Sequence, residues 1–161
     1  MVTNYGNDFE HLYGDLANSK SIVIDNKKYK ELINISYELT FSTDFIFERI
    51  PPHQPDDLNE RQYLIRRLFD CISILENDKH SRRAAYANVY TNKMCKCISM
   101  VQVFIRDGNI NINEFYRSQH AIRNFDFDVQ TASILMDMLT HELNVQPGKI
   151  TVFVTSFHKD C

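Results

Sequence analysis

Ile98-Ser99-Met100-Val101-Gln102-Val103-Phe104-Ile105-Arg106-Asp107-Gly108-Asn109-Ile110-Asn111-Ile112-Asn113-Glu114-Phe115-Tyr116 decides the fold class. β-branched and aromatic residues crowd both halves, and Asp107-Gly108 between them is a strong two-residue hairpin turn. The stretch predicts strands over 98–106 and 109–116. Working outward, 84–90 carries a further strand pattern. Toward the C-terminus, 129–143 sets Ile134, Leu135, Met138 and Leu139 on one helical stripe. Pro147-Gly148 then stops the chain before a strand over 150–157. Toward the N-terminus, 58–76 places Leu64, Ile65, Leu68, Phe69, Ile72 and Leu75 at helical spacing, with Arg61, Arg66 and Arg67 on another face. Residues 50–57 hold three prolines and read as an irregular link. Before it come a short helix over 9–17 and strands over 21–24 and 32–47. Strands and helices mix without a regular βαβ rhythm, which predicts an α+β fold with a mixed sheet packed by helices.

The 161 residues, 43% hydrophobic and 12% aromatic, suit one domain spanning 1–161. Eighteen Lys and Arg against 21 Asp and Glu leave a net charge of -3, which excludes bulk attraction to nucleic acid or an anionic membrane. Phosphate recognition must therefore be local. The N-terminus has no basic start followed by an apolar run, and no apolar stretch approaches the ~20 residues of a membrane span. A soluble, unexported, cytoplasmic protein is the expectation, with Cys71, Cys95, Cys97 and Cys161 as free thiols. Cys95 and Cys97 alternate onto one strand face, but no second Cys or His pair stands at ligand spacing, so no metal is expected. Neither a GxGxxG nor a P-loop is present. Cys97, Arg117-Ser118 and His158 fall on or beside predicted strands and could converge. Taken singly, a strand cysteine is more often a small buried hydrophobe, and a lone Arg or His more often surface.

Several short motifs in one order carry a resemblance. Leu75-Glu76-Asn77-Asp78-Lys79-His80-Ser81-Arg82-Arg83 resembles the helix end and Ser-Arg-Arg segment of thymidylate synthases. Cys97, then 102–108, Phe115-Tyr116-Arg117-Ser118, Phe127-Asp128, Pro147-Gly148 and His158 follow in that family's order. The match is clearest over 58–160, and the chain resembles a shortened, divergent member of the thymidylate synthase and pyrimidine hydroxymethylase family. The resemblance implies that family's fold, a homodimer joined sheet to sheet, and a pyrimidine nucleoside monophosphate as ligand. It implies Cys97 as the nucleophile that adds to C6 of the base, activating C5 toward a one-carbon unit. Arg117 would lie by both the phosphate and the thiol and favour the thiolate. Arg82 and Arg83, donated across the dimer, and Ser118 would hold the phosphate. Asp128 stands where thymidylate synthases have Asn and cytidylate hydroxymethylases have Asp. A carboxyl group can accept from cytosine's exocyclic amine, whereas an ionised one repels uracil's carbonyl. Alternatively, Asp126 and Asp128 form the acidic start of a helix. His158 matches the sugar-binding histidine, but Asp160 replaces the accompanying tyrosine, so ribose as well as deoxyribose enters consideration.

Departures from the pattern bear on 5,10-methylenetetrahydrofolate, the one-carbon donor that the resemblance implies. The Glu-Leu-Leu-Trp-like segment with the acid/base glutamate and folate contacts has no counterpart here; Glu38, Glu48 and Glu60 are the possible substitutes. The Pro-Cys-His signature reads Lys96-Cys97-Ile98, Asn124 replaces a glycine, and the chain ends at Cys161 without the tail that closes over folate. Two functions follow: a cytidylate hydroxymethylase-like or thymidylate synthase-like C5 one-carbon transferase, or a non-catalytic nucleotide-binding protein acting as sensor, sequestering protein or partner of a full-length relative. A structural protein that kept the dimer sheet but lost the site is a third.

Overall fold

The computed structural model describes residues 2–41, 55–89 and 95–161. Its centre is the hairpin of β5 (Cys95–Arg106) and β6 (Asn109–His120). Asp107 and Gly108 take φ of 52° and 77°, the left-handed pair a two-residue hairpin needs. Around it lie β1 (Thr3–Asn4), β2 (Ser21–Ile24), β3 (Lys27–Leu39), β4 (Ala85–Val89) and β7 (Gln146–Asp160), in the order β1-β3-β7-β6-β5-β4, with β2 also paired to β3. β6 and β7 run parallel, while β3–β7, β5–β6 and β4–β5 are antiparallel. The sheet is therefore mixed, and the helices α1 (Phe9–Asn18), α2 (Pro55–Asn77) and α3 (Phe125–Leu143) pack on it.

Several boundaries depart from the sequence reading. α2 begins at Pro55 rather than near 58, because proline in a first helical turn forfeits only an N–H that had no partner. Phe69, expected on its apolar stripe, is 50% exposed, and Leu64, Leu68, Cys71, Ile72 and Leu75 form the buried face. α3 begins at Phe125, not 129, and is stopped by Asn144 in the left-handed region (φ 49°), whose N–H bonds Thr140 O. Pro147-Gly148 does not stop the chain: both belong to β7, and Pro147 pairs with Ile110 at the strand's start, where a missing donor is tolerated. Gly148 is dictated by close approach, since a Cβ there would lie 2.5 Å from Ile110 O. β3 starts earlier than expected, through a second hairpin whose turn residues Asp25 and Asn26 have φ of 49° and 63°. The part of the expected 32–47 strand beyond 41, and the link over 50–54, lie outside the described residues.

One core joins α1, α2 and α3 to the sheet, with Tyr37, Leu68, Leu75, Ile112, Leu135, Leu139 and Phe157 enclosed. The sheet carries a row of kinks across this core. On β6 the buried positions run Ile110, Ile112, Glu114 and Tyr116, then switch parity to Gln119, with Ala121 buried just past the strand's end. On β7 they run Ile150, Val152 and Val154, then Phe157, and on β5 a bulge between Ile98 and Met100 shifts Val101, Val103 and Ile105 inward. On β3 the kink falls at Asn34, with φ 54°. Period-two alternation fixes which face a side chain takes, so such a row exchanges the faces of the sheet. Nearby residues of one strand can then border one hollow.

Candidate active site

That hollow is a cavity of about 230 Å³ between the kinked ends of β5, β6 and β7 and the helices α2 and α3. Tyr116, Ser118, Gln119 and His120 of β6 all border it, with Cys97 from β5 and His158 from β7. Glu60, Arg61 and Leu64 of α2, together with Phe127, Asp128 and Thr131 of α3, form the opposite wall. A second hollow of about 270 Å³ adjoins it through Ser118 and His158, and Arg117, Tyr29 and Glu31 line that one.

Cys97 is exposed as a residue, yet its sulfur accepts a long bond from the Ser118 hydroxyl at 3.8 Å. Desolvation on the walled side pushes the thiol pKa up, and the negative charges of Glu60 and Asp128 push the same way. The Ser118 bond and the Arg117 guanidinium pull it down without prevailing. The expected thiolate-favouring effect of Arg117 thus has the expected sign but is outweighed. Arg117 itself is exposed and faces the second hollow.

Asp128 sits in the first turn of α3, so the acidic-helix-start reading describes its backbone. Its side chain nevertheless borders the cavity, where Oδ2 accepts from Gln119 Nε2 at 2.9 Å. Gln119 Oε1 in turn accepts from the Tyr37 hydroxyl at 2.7 Å, deep in the core. Glu60 is held from behind by Asn88, whose Nδ2 donates to Oε1 at 2.8 Å. Arg61, read from the sequence as lying on a face other than the apolar stripe, is a clamp between α2 and α3. Its Nε donates to Thr131 Oγ1 at 2.8 Å, its Nη2 to Phe127 O and Gln130 Oε1, and its guanidinium lies 3.7 Å from the Phe127 ring centroid.

Beyond the thiol a charged cluster closes the strand ends. Asp160 pairs with Arg123, and its Oδ2 lies 3.5 Å from His120 Nε2. His120 Nδ1 accepts from the backbone N–H groups of Ile122 and Arg123, which leaves the proton of the neutral ring on Nε2. Desolvation, then the His158 and Arg123 charges, hold the His120 pKa down. The His120 and His158 rings meet edge-on at 5.2 Å.

The structure therefore brings Cys97, Ser118, Asp128 and His158 to one cavity and sets Arg117 beside it. Arg82 and Arg83 are exposed in the link between α2 and β4 and do not border the cavity of their own chain. Of the three candidate glutamates, Glu60 lines the cavity, Glu38 pairs with Lys149 elsewhere, and Glu48 lies outside the described residues. Glu60 was findable, being one turn from Leu64 and two from Leu68 on the buried stripe. Gln119 and Asn88 gave no such signal. No group of three or more His, Cys, Asp or Glu among the described residues is arranged to hold a metal.

A mixed sheet packed by three helices, with a cysteine-bearing cavity at the kinked strand ends, defines the class as an α+β fold of thymidylate synthase type. The thymidylate synthase family model matches residues 11–159, and the chain belongs to that family. Among curated proteins none matches. The family transfers one-carbon units to C5 of pyrimidine nucleotides, normally with methylenetetrahydrofolate, and is typically dimeric. No described helix is long and apolar enough to cross a membrane.

Proposed function

We propose that the chain is a single-domain, homodimeric cytoplasmic protein that binds a pyrimidine nucleoside monophosphate, with Cys97 adding to C6 of the base. The convergence of Cys97, Ser118, Asp128 and His158 from four elements on one cavity carries the reading. The base lies against Asp128, the sugar toward His158, and the phosphate toward Ser118 and Arg117 at the junction of the two hollows. Asp128 accepts from the exocyclic amine of cytosine, and Gln119 holds it in that orientation. Glu60, oriented by Asn88, is the acid/base group within reach of the thiol's cavity.

The chemistry this arrangement supports needs the nucleotide alone. A thiolate forms as the Cys97 proton passes to the Glu60 carboxylate, its lone pair makes the S–C6 bond, and the C5–C6 π electrons shift onto C5 and the adjoining C4 end of the ring. C5 then takes a proton; reversal with loss of the original C5 proton restores the base and exchanges one hydrogen. No step is assigned to folate.

Homodimerisation draws support from the sheet face opposite the helices. Met100, Phe104, Phe115 and Phe153 are half-buried there, with Phe115 and Phe153 stacked at 4.9 Å between centroids. Such a face suits a second sheet, and a second copy would supply the Arg82 and Arg83 that the cavity lacks from its own chain. The surroundings of the thiol favour the alternative, nucleotide binding without turnover: desolvation and the charges of Glu60 and Asp128 push the Cys97 pKa up, against thiolate formation. Tritium release from C5-labelled CMP, dCMP, UMP and dUMP, compared with Cys97→Ser, decides between them. Cys97-dependent release establishes the addition and names the substrate, and binding without release establishes the alternative.

A further inference from the structure

Glu114 occupies a place built for an apolar side chain. It continues the inward row of Ile110 and Ile112, flanked by Val101 on β5 and Val152 on β7, and is 1% exposed. Oε2 meets the Tyr116 hydroxyl at 3.3 Å, and Oε1 has no hydrogen-bond partner among the described residues. Two strands away on the same row, the Tyr86 hydroxyl is likewise enclosed without a partner. The ionisable groups that face this carboxyl are Tyr116 on its own strand, Tyr37 on β3, Tyr86 on β4 and Asp128 on α3, with Glu60 on α2 acting on Tyr116. None of the described cations pairs with it. Burying an unpaired carboxylate costs far more than burying the neutral acid.

We propose that Glu114 is a positioning residue for base recognition: as a neutral acid it donates to the Tyr116 oxygen, turns the Tyr116 O–H toward Asp128, and leaves Asp128 as the sole negative charge of that carboxyl pair. This rests on the nucleotide reading of the cavity and adds a residue behind it. When Glu114 loses its proton, Tyr116 must donate backward to it, and a second negative charge stands behind Asp128. The base edge then loses its orientation. Burial and the Asp128 charge push the Glu114 pKa up to about 8, which puts the change in an accessible range. The direction is also diagnostic. Thiolate formation at Cys97 raises reactivity as pH rises, whereas Glu114 ionisation lowers binding.

The test measures CMP and dCMP affinity of Cys97→Ser protein between about pH 7 and about pH 9.5, where the nucleotide phosphate is already a dianion. Affinity is expected to fall about tenfold per pH unit above the Glu114 pKa. The Cys97→Ser, Glu114→Gln protein, whose amide still donates to Tyr116 but does not titrate, is expected to lose the alkaline fall. A flat profile in Cys97→Ser, or the same fall in the double variant, overturns the proposal. Infrared difference spectra of the ligand-free protein give an independent reading: a protonated-carboxyl band at neutral pH that Glu114→Gln removes supports it, and its absence from the native protein overturns it. Failure of CMP, dCMP, UMP and dUMP to bind at any pH, with that band present, overturns the nucleotide reading and with it this role.

Discussion

Replacing Glu114 by Gln is expected to change how the stability of the free protein depends on pH, whether or not a nucleotide ever binds. The side chain is enclosed, and its pKa rises from an ordinary 4.5 to about 8 on folding. Below the lower value both folded and unfolded chains keep the proton, and the group contributes its full share. Between the two values the unfolded chain releases a proton that the folded chain retains, so stability falls as pH rises, by about 1.4 kcal/mol per unit. The whole loss approaches ~5 kcal/mol above the folded pKa, a ceiling set by full burial. Glutamine does not titrate, so the stability of Glu114→Gln relative to native protein should grow by about 3 kcal/mol between about pH 5 and about pH 7.5. Other groups titrate in both proteins and cancel in the difference. Urea denaturation at several pH values gives the curve. A difference independent of pH would refute the reasoning, since it would mean that Glu114 ionises in the folded protein as it does in water.

Cys97 titration follows from the signs of its neighbours: Glu60→Gln should lower the thiol pKa and Ser118→Ala or Arg117→Ala should raise it, read from the pH dependence of iodoacetamide alkylation. An unmoved profile in all three would mean that these groups do not act on the sulfur. Arg61→Ala removes a stacked guanidinium and three hydrogen bonds between α2 and α3, and should cost about 1–3 kcal/mol in chemical denaturation. Arg61→Lys should recover only part of it, because an ammonium cannot reproduce the fork; full recovery would reduce the clamp to a charge. Gly148→Ala forces a Cβ against the Ile110 carbonyl oxygen, backbone that cannot swing aside, and should destabilise by about 1–3 kcal/mol. A neutral effect would show that β6 and β7 part easily at that end.

Element types were legible in the sequence wherever turn chemistry was explicit. Asp107-Gly108 announced its hairpin, and the apolar stripe from Leu64 to Leu75 announced α2. Boundaries failed where a tertiary partner overrode a local signal. Pro147 reads as a terminator, yet the parallel partner β6 accepts it at the first positions of β7. Asp126 and Asp128 read as helix-entry residues and are, but which of them points into a cavity depends on how α3 meets the sheet. The kink row was invisible for the same reason. It is assembled from Ser99, Arg117, Thr155 and Asn34, far apart in sequence, and only Asn34 has an unusual φ. The site residues came from motif resemblance, and the structure gathers four of them around one cavity. Glu114 carried a signal that alternation exposes: an acidic residue in the inward row Ile110, Ile112, Glu114, Tyr116.

The charge balance of the cavity ties the proposed dimer to the proposed chemistry. Glu60 and Asp128 both border it, Glu114 stands behind, and each of the first two pushes the Cys97 proton on rather than off. A phosphate dianion would add to that negative field. Among the described residues, Arg117 is the cation that acts on the thiol, and it faces the second hollow. Arg61 is committed to Thr131, Phe127 and Gln130, and Arg123 to Asp160. Arg82 and Arg83 are exposed on the link beside β4, where Gln102 Nε2 donates to Arg82 O from the strand at the uncovered sheet face. If a second copy delivers them to the phosphate, they offset its charge and release Arg117 to act on the sulfur. Dimerisation would then raise both nucleotide affinity and thiol reactivity, and Arg82→Ala with Arg83→Ala should depress the two together. Loss of affinity with unchanged alkylation in the bound state would separate them, and would place the control of the thiol within a single chain.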